Sequence, residues 1–172
     1  VFWGEDGTTN ILLLDAWQDH LGLPELTKRV KKEMQASYGD DSDRPMLKPL
    51  IGPSRMASSG RKPDIILIEE KGSGISLRQN LAADGIFTYT YNPGRADKLT
   101  RLHLASDVFV RGQFWVPESE HPARKGKIKT WADALVSQVC SYKGPNSLKH
   151  DDFVDVVSQV VVFLKTKNII TL

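Results

Sequence analysis

The chain has 172 residues, 40% of them hydrophobic, which suits one α/β domain with a buried core and leaves too little sequence for two. Because 23 basic and 21 acidic residues nearly cancel, any surface that binds a polyanion must be local. A single cysteine and four scattered histidines exclude an internal disulfide and give no zinc-ligand spacing, so a metal ion would need oxygen ligands. We find no apolar run of membrane-spanning length and no signal-peptide pattern, and we expect a soluble protein.

The N-terminal part of the chain predicts an antiparallel start to a sheet, followed by a helix. Val1–Trp3 and Asn10–Trp17 have strand character, and Asp6-Gly7 between them favours the positive backbone angles of a short hairpin. A helix begins near Pro24, a residue favoured at the first helical position, and its apolar spacing ends before Gly39.

The next segment predicts a long loop and then a buried strand. Residues 39–62 are rich in Asp, Ser, Pro, Gly and Arg, which predicts a mobile loop because few apolar side chains are available to offset the entropy of ordering. Asp64 is followed by the continuous apolar run Ile65-Ile66-Leu67-Ile68, which is typical of a strand covered on both faces. We expect this strand to form the middle of the sheet.

The rest of the chain alternates between helices and strands. The predicted elements are a helix at Ser76–Ala83, a strand at Ile86–Tyr91, a helix at Asp97–Arg111, a strand at Gln113–Val116, and helices at Thr130–Tyr142 and Leu148–Lys165. The last helix is apolar at most positions from 153 to 164 and should lie against the sheet. This order predicts a mixed α/β sheet flanked by helices.

Two carboxylates, Glu69 and Glu70, follow the apolar run directly. Ligand sites in open α/β sheets lie beyond the carboxyl ends of strands, and a strand fixes a ligand more rigidly than a loop does. A solvated acidic turn explains the pair equally well, so both interpretations remain open at this point.

A second acidic group, Asp151, Asp152 and Asp155, stands at the start of the last predicted helix. Their spacing of three and four residues lets the three side chains share one helical surface. The helix dipole alone explains acids in a first turn, which covers Asp151 and Asp152. It explains Asp155 less well, because apolar residues surround that position and a buried carboxylate needs a partner or a cation.

If the two acidic groups meet, they form an all-oxygen site suited to Mg²⁺ or Mn²⁺. Phosphodiester cleavage uses such sites, with two ions about 3.5 to 4 Å apart in an in-line displacement. The spacing alone does not distinguish hydrolysis from a structural metal.

Two basic features could contact phosphates. Lys71 precedes Gly72-Ser73-Gly74 and a helix, where backbone donors and a cation could bind an anion, although a plain glycine turn is at least as good an explanation. A basic run without an intervening acid suits non-specific phosphate contact, and a solvated loop explains it as well: Arg124, Lys125, Lys127 and Lys129.

Several segments together resemble one protein family. "IILIEEKGSGISL" at Ile65–Leu77 is similar to the acid-then-glycine segment of bacteriophage terminase large subunits. "DKLTRLHLASDVFVRGQFWVPE" at Asp97–Glu118 resembles the family's Asp-Lys, Arg, Gly and Pro pattern, and "KHDDFVDVVSQ" at Lys149–Gln159 resembles its closing acidic helix. "ILLLDAW" and "LPELTKRV" are similar to the family's second strand and following helix. The segments occur in the family's order and cover nearly the whole chain.

The resemblance implies a ribonuclease-H-like fold and assigns roles to residues. Residues 1–172 would form one nuclease domain of a longer protein, whose ATPase domain lies upstream. Glu69 would be the metal ligand on the strand, and the helix ligand would be Asp151 or Asp152, with Asp155 as a further candidate. The resemblance also marks Lys98 and Arg101 for DNA-backbone contact, and we assign supporting roles to Asp15, Glu70 and His150. The family has one more catalytic aspartate, upstream of the segment similar to Val1–Gly4, and it is missing from this sequence, so we expect this fragment to bind metal weakly and to cut poorly.

The implied function is a metal-dependent endonuclease, using Mg²⁺ or Mn²⁺ in a two-ion site, that cuts concatemeric double-stranded viral DNA during packaging. The implied partners are double-stranded DNA, the ATPase domain, the portal protein and the small terminase subunit, in the cytoplasm of the bacterial host. Two alternatives remain: another ribonuclease-H-like nuclease such as a junction resolvase, or a non-catalytic DNA- or portal-docking module of a decayed prophage.

Overall fold

A computed structural model describes residues 2–4, 10–38, 60–120 and 129–167. After two consecutive strands, helices and strands alternate until two consecutive helices end the described order, which confirms the mixed α/β prediction. In chain order the elements are β1 Phe2–Gly4, β2 Ile11–Leu13, α1 Leu23–Gln35, β3 Leu67–Glu69, α2 Ser73–Ala83, β4 Tyr89–Tyr91, α3 Lys98–Val110, β5 Phe114–Trp115, α4 Trp131–Ser141 and α5 Asp152–Thr166.

Strand β2 is the central strand of a three-stranded sheet, in the order β1-β2-β5. It runs antiparallel to β1, with Phe2 opposite Leu13, and parallel to β5, with Ile11 opposite Phe114. The antiparallel start is therefore confirmed. All three β2 residues are buried, as expected for a strand with neighbours on both sides.

Strand β3 lies in a second sheet, and this corrects one prediction. Within the described residues β3 pairs only with β4, in parallel, with Glu69 opposite Tyr91. The expectation that it forms the middle of a single sheet is therefore wrong. An apolar run indicates burial but not which strands lie alongside; here α1 and α2 pack against Ile68, while Ile65 remains 42% exposed.

Helix α5 is shared by the two buried clusters that surround β2. Val161 packs with Ile11, Ala105 and Val108, all fully buried, and a neighbouring cluster joins Val157 to Leu13, Leu135 and Phe153. The prediction that the last helix lies against the sheet is confirmed. The helix begins four residues later than predicted, because the chain is still turning at 144–147, where Ser147 N donates to Gly144 O.

The other helices lie close to their predicted positions. Helix α3 begins after Asp97, whose carboxylate accepts a hydrogen bond from Thr100 N at 2.7 Å, and Gly112 follows it with a φ of 67°. Residues 39–59 of the predicted loop lie outside the described residues. No helix in the described ranges combines the length and apolar character that a membrane crossing requires.

Candidate active site

Glu69 is the last residue of β3, and its side chain reaches the acidic helix. Gln159 of α5, only 9% exposed, donates from Nε2 to Glu69 Oε2 at 3.1 Å across ninety positions of sequence. Because Gln159 lies one helical turn after Asp155, the strand-end acid and the helix acids share one region of the molecule.

Because residue 74 is a glycine, the first turn of α2 can lie directly against the backbone of Glu69. A Cβ atom at this position would lie 2.1 Å from the carbonyl oxygen of Glu69 and 3.2 Å from Ile68 Cγ2. Since real Cβ atoms do not approach a backbone oxygen so closely, a side chain at 74 would force either the end of β3 or the start of α2 to move. The glycine in the "EEKGSG" segment therefore fixes the position of the Glu69 backbone.

Tyr91 lies near both Glu69 and Asp155. It is opposite Glu69 in the strand pair and 9% exposed. Burial raises the pKa of its phenol; Arg101 opposes that change, while the negative charges of Glu69 and Asp155 add to it. Both carboxylates are thus close enough to act electrostatically on one neutral phenol.

Two basic residues of α3 bind two acids at the start of α5, forming what we call the α3–α5 ion network: Lys98, Arg101, Asp151 and Asp155. Lys98 Nζ lies 2.8 Å from Asp151 Oδ1 and 2.7 Å from Asp155 Oδ2. Arg101 is 7% exposed and donates to Asp155 Oδ1 and, at 2.7 Å, to Ala96 O. Burial alone would lower the pKa of Lys98, but its hydrogen bonds to Asp151 and Asp155 hold that pKa above its usual value.

Asp152 has a different environment. It is exposed in the first turn of α5 and accepts a hydrogen bond from the Gln18 side chain, which follows β2. Among the described residues no Lys or Arg pairs with it.

The remaining predicted site residues are spread over several places. Burial raises the pKa of half-buried Asp15, whose charged neighbours include Lys129 and Glu33. The Glu70 carboxylate lies 3.8 Å from the Arg78 guanidinium. Lys71 and His150 are exposed, and three members of the basic run lie outside the described residues: Arg124, Lys125 and Lys127.

Burial and ion pairing give Lys98 and Arg101 a position different from that of a surface DNA contact.

Sequence reasoning also missed Gln159 and Gln18, the amide partners of Glu69 and Asp152. Gln159 carried a usable signal, since it is a polar residue in the apolar stripe of the last helix, and a buried amide needs a hydrogen-bond partner. Gln18 carried none, because it lies in an exposed segment.

The donor atoms suit a hard divalent cation in type, since they are carboxylate oxygens. Their number is smaller than such a site needs: within the described ranges no three Asp, Glu, His or Cys residues lie close enough together to hold an ion. The described residues therefore place carboxylate oxygens at a strand end and at a helix start without forming a complete ion site.

Comparison with known proteins bears on the fold. The sequence model of one family, described as the terminase RNaseH-like domain, matches residues 46–162, which is more than half of the chain. No curated protein and no solved structure gives a significant match. The matched region contains β3, β4 and the acidic start of α5, and so includes both acidic groups. This confirms the resemblance read from the motifs: the chain belongs to the terminase RNaseH-like domain family and has the nuclease-type fold of a terminase C-terminal domain.

Proposed function

We propose that this domain is a divalent-metal-dependent endonuclease that cuts concatemeric double-stranded viral DNA for packaging. Family membership supports a nuclease-type domain. The residue assignment depends mainly on one observation, the hydrogen bond that joins Glu69 at the end of β3 to Gln159 on the acidic helix. This contact directly links the strand end that carries Glu69 to the helix that carries the second acidic group.

In this proposal Glu69 and acids of the α5 start hold Mg²⁺ or Mn²⁺, with the upstream aspartate that the resemblance implies completing a two-ion site. When bound, the ions supply charge stabilisation for the attacking and leaving oxygens of an in-line displacement. Tyr91 places a buried phenol near both Glu69 and Asp155, and Gln159 orients the Glu69 carboxylate.

The DNA-binding part of the proposal involves exposed cations. Lys71 follows Glu69 by two residues and is exposed, so its ammonium can approach a phosphate next to the strand end. The basic run Arg124–Lys127 is proposed as a second contact. The ATPase domain, the portal protein and the small subunit are the proposed partners, in the host cytoplasm.

A plasmid-nicking assay tests the activity. We expect Mn²⁺-dependent nicking of supercoiled DNA by this chain, and faster nicking by a version extended upstream. Glu69→Gln should reduce the rate at least about 100-fold, because even residues that only support metal ligands cost 10- to 100-fold when removed. Glu25→Gln, which changes an exposed acid in the first turn of α1, is the control and should leave the rate unchanged.

Two results would contradict the proposal. Cleavage that survives Glu69→Gln in the extended version would remove Glu69 from the site. DNA binding without any cleavage by the extended version would favour the alternative of a non-catalytic docking module.

A further inference from the structure

The four carboxylates around the proposed site have partners of two kinds. Asp151 and Asp155 are ion-paired with Lys98 and Arg101. Glu69 and Asp152 accept hydrogen bonds from the neutral amides of Gln159 and Gln18. An amide donor leaves the negative charge of a carboxylate in place, whereas a buried cation cancels it.

From this division we infer that Asp155 is a structural anchor and not a metal ligand, and that Glu69 and Asp152 are the carboxylates available to divalent ions. The second half of this inference rests on the proposed function; the first half does not. Of the four carboxylates that the sequence predicts as metal ligands, only Glu69 and Asp152 then remain as candidate ligands.

The anchor role follows from the burial of Arg101. Its guanidinium is 7% exposed and has two described acceptors, Asp155 Oδ1 and Ala96 O. If Asp155 turned toward a metal ion, Arg101 would be left as a buried charge without its counter-ion, which is strongly unfavourable. Lys98 adds a second restraint, because its ammonium contacts both carboxylates and also the Asp151 carbonyl oxygen at 3.2 Å.

The availability of Glu69 and Asp152 follows from their neutral hydrogen-bond partners and from the exposure of Asp152. Asp152 and Gln159, the hydrogen-bond partner of Glu69, are seven residues apart, which is about two turns, so both lie on one side of α5 and roughly 10 Å apart along its axis. Asp152 is exposed, so an ion can reach it without displacing a protein cation.

The anchor is tested by thermal unfolding without metal, using Arg101→Met, Asp155→Leu and the double variant. Asp155→Leu should lower Tm by about 10 °C, since it leaves the buried Arg101 charge without its counter-ion, whereas Arg101→Met should lower Tm less, because Asp155 keeps its ion pair with Lys98. The double variant should recover most of that loss, because no buried charge remains unpaired. The control is Lys165→Met with Asp107→Leu, a more exposed pair between the same two helices, whose shifts should stay within about 3 °C. Additive losses in the Arg101–Asp155 cycle would overturn the anchor.

The ligand assignment is tested by the rise in Tm on titration with Mn²⁺, which needs no catalysis. The Arg101→Met/Asp155→Leu variant should keep the wild-type half-saturating Mn²⁺ concentration within about threefold. Asp152→Asn should keep its metal-free Tm but raise that concentration at least about tenfold. Loss of the Mn²⁺ response in the Arg101/Asp155 double variant would show that Asp155 is a ligand. A wild-type chain with no Mn²⁺ response would count against the proposed function, while the unfolding cycle would still decide the anchor.

Discussion

Gly74 controls the site without contributing a side chain to it. Its α carbon lies so close to the Glu69 carbonyl that a Cβ atom would be 2.1 Å from the oxygen. Backbone cannot yield as a flexible side chain can, so either the start of α2 or the end of β3 must move when the position is filled.

Gly74→Ala should therefore destabilise the domain by about 1 to 3 kcal/mol, the usual range for overpacking, and should also slow Mn²⁺-dependent nicking because Glu69 is displaced. Urea unfolding and the plasmid assay measure the two effects. Ser73→Ala, one residue earlier and exposed, is the control and should change neither. A fully stable and active Gly74→Ala protein would show that the close approach does not matter.

Lys98 makes a pH-dependent contribution to stability. Its folded pKa lies above the unfolded value of about 10.4, so the stabilisation is complete below that pH and is lost as pH rises through the folded pKa. The Tm difference between wild type and Lys98→Met should be constant from neutral pH to about pH 10 and should shrink above it. A difference that persists unchanged to about pH 11.5 would mean that the ion pairs with Asp151 and Asp155 contribute nothing.

At the scale of elements, β3 depends on the helices that cover it. Leu81 of α2 is fully buried and packs with Ile68 and Leu77 in one cluster, against which α1 also packs. Since β3 has only β4 as a described neighbour, this cluster supplies much of its stabilisation.

Leu81→Ala should cost about 2 to 5 kcal/mol in the free energy of unfolding, because the cavity adds to the lost transfer free energy. Ile75→Ala, on the same helix but 40% exposed, should cost much less. Denaturant titration compares the two variants. Equal losses would show that the cluster around Ile68 is not a packed core.

The positions of the elements were largely predictable, because each depends on local patterns. The helix from Asp97 to Gly112 has a capping carboxylate at one end and a left-handed glycine at the other, and the final helix is marked by its apolar residues. Strand pairing was not predictable for β3, because hydrogen bonds between distant strands leave no local pattern. For the same reason the sequence could not show that Arg101 is paired with Asp155, fifty-four positions away.

At the scale of the whole molecule, the net charge of +2 gives weak overall attraction to DNA, so local cations must provide the binding. DNA affinity should fall steeply with salt, as phosphate contacts release counterions. Lys71→Ala should reduce the slope of log affinity against log salt by about one, and the Arg101→Met/Asp155→Leu variant should leave it unchanged. An affinity independent of salt would contradict the proposed phosphate contacts.

The proposed activity requires Glu69 and the start of α5 to bind divalent ions in one site. Anomalous diffraction from Mn²⁺-soaked crystals of the domain tests this most directly. We expect manganese peaks within about 2.5 Å of carboxylate oxygens of Glu69 and Asp152, with Asp155 still bound to Arg101. Manganese bound elsewhere, with Glu69 still bound only to Gln159, would contradict the proposed metal site.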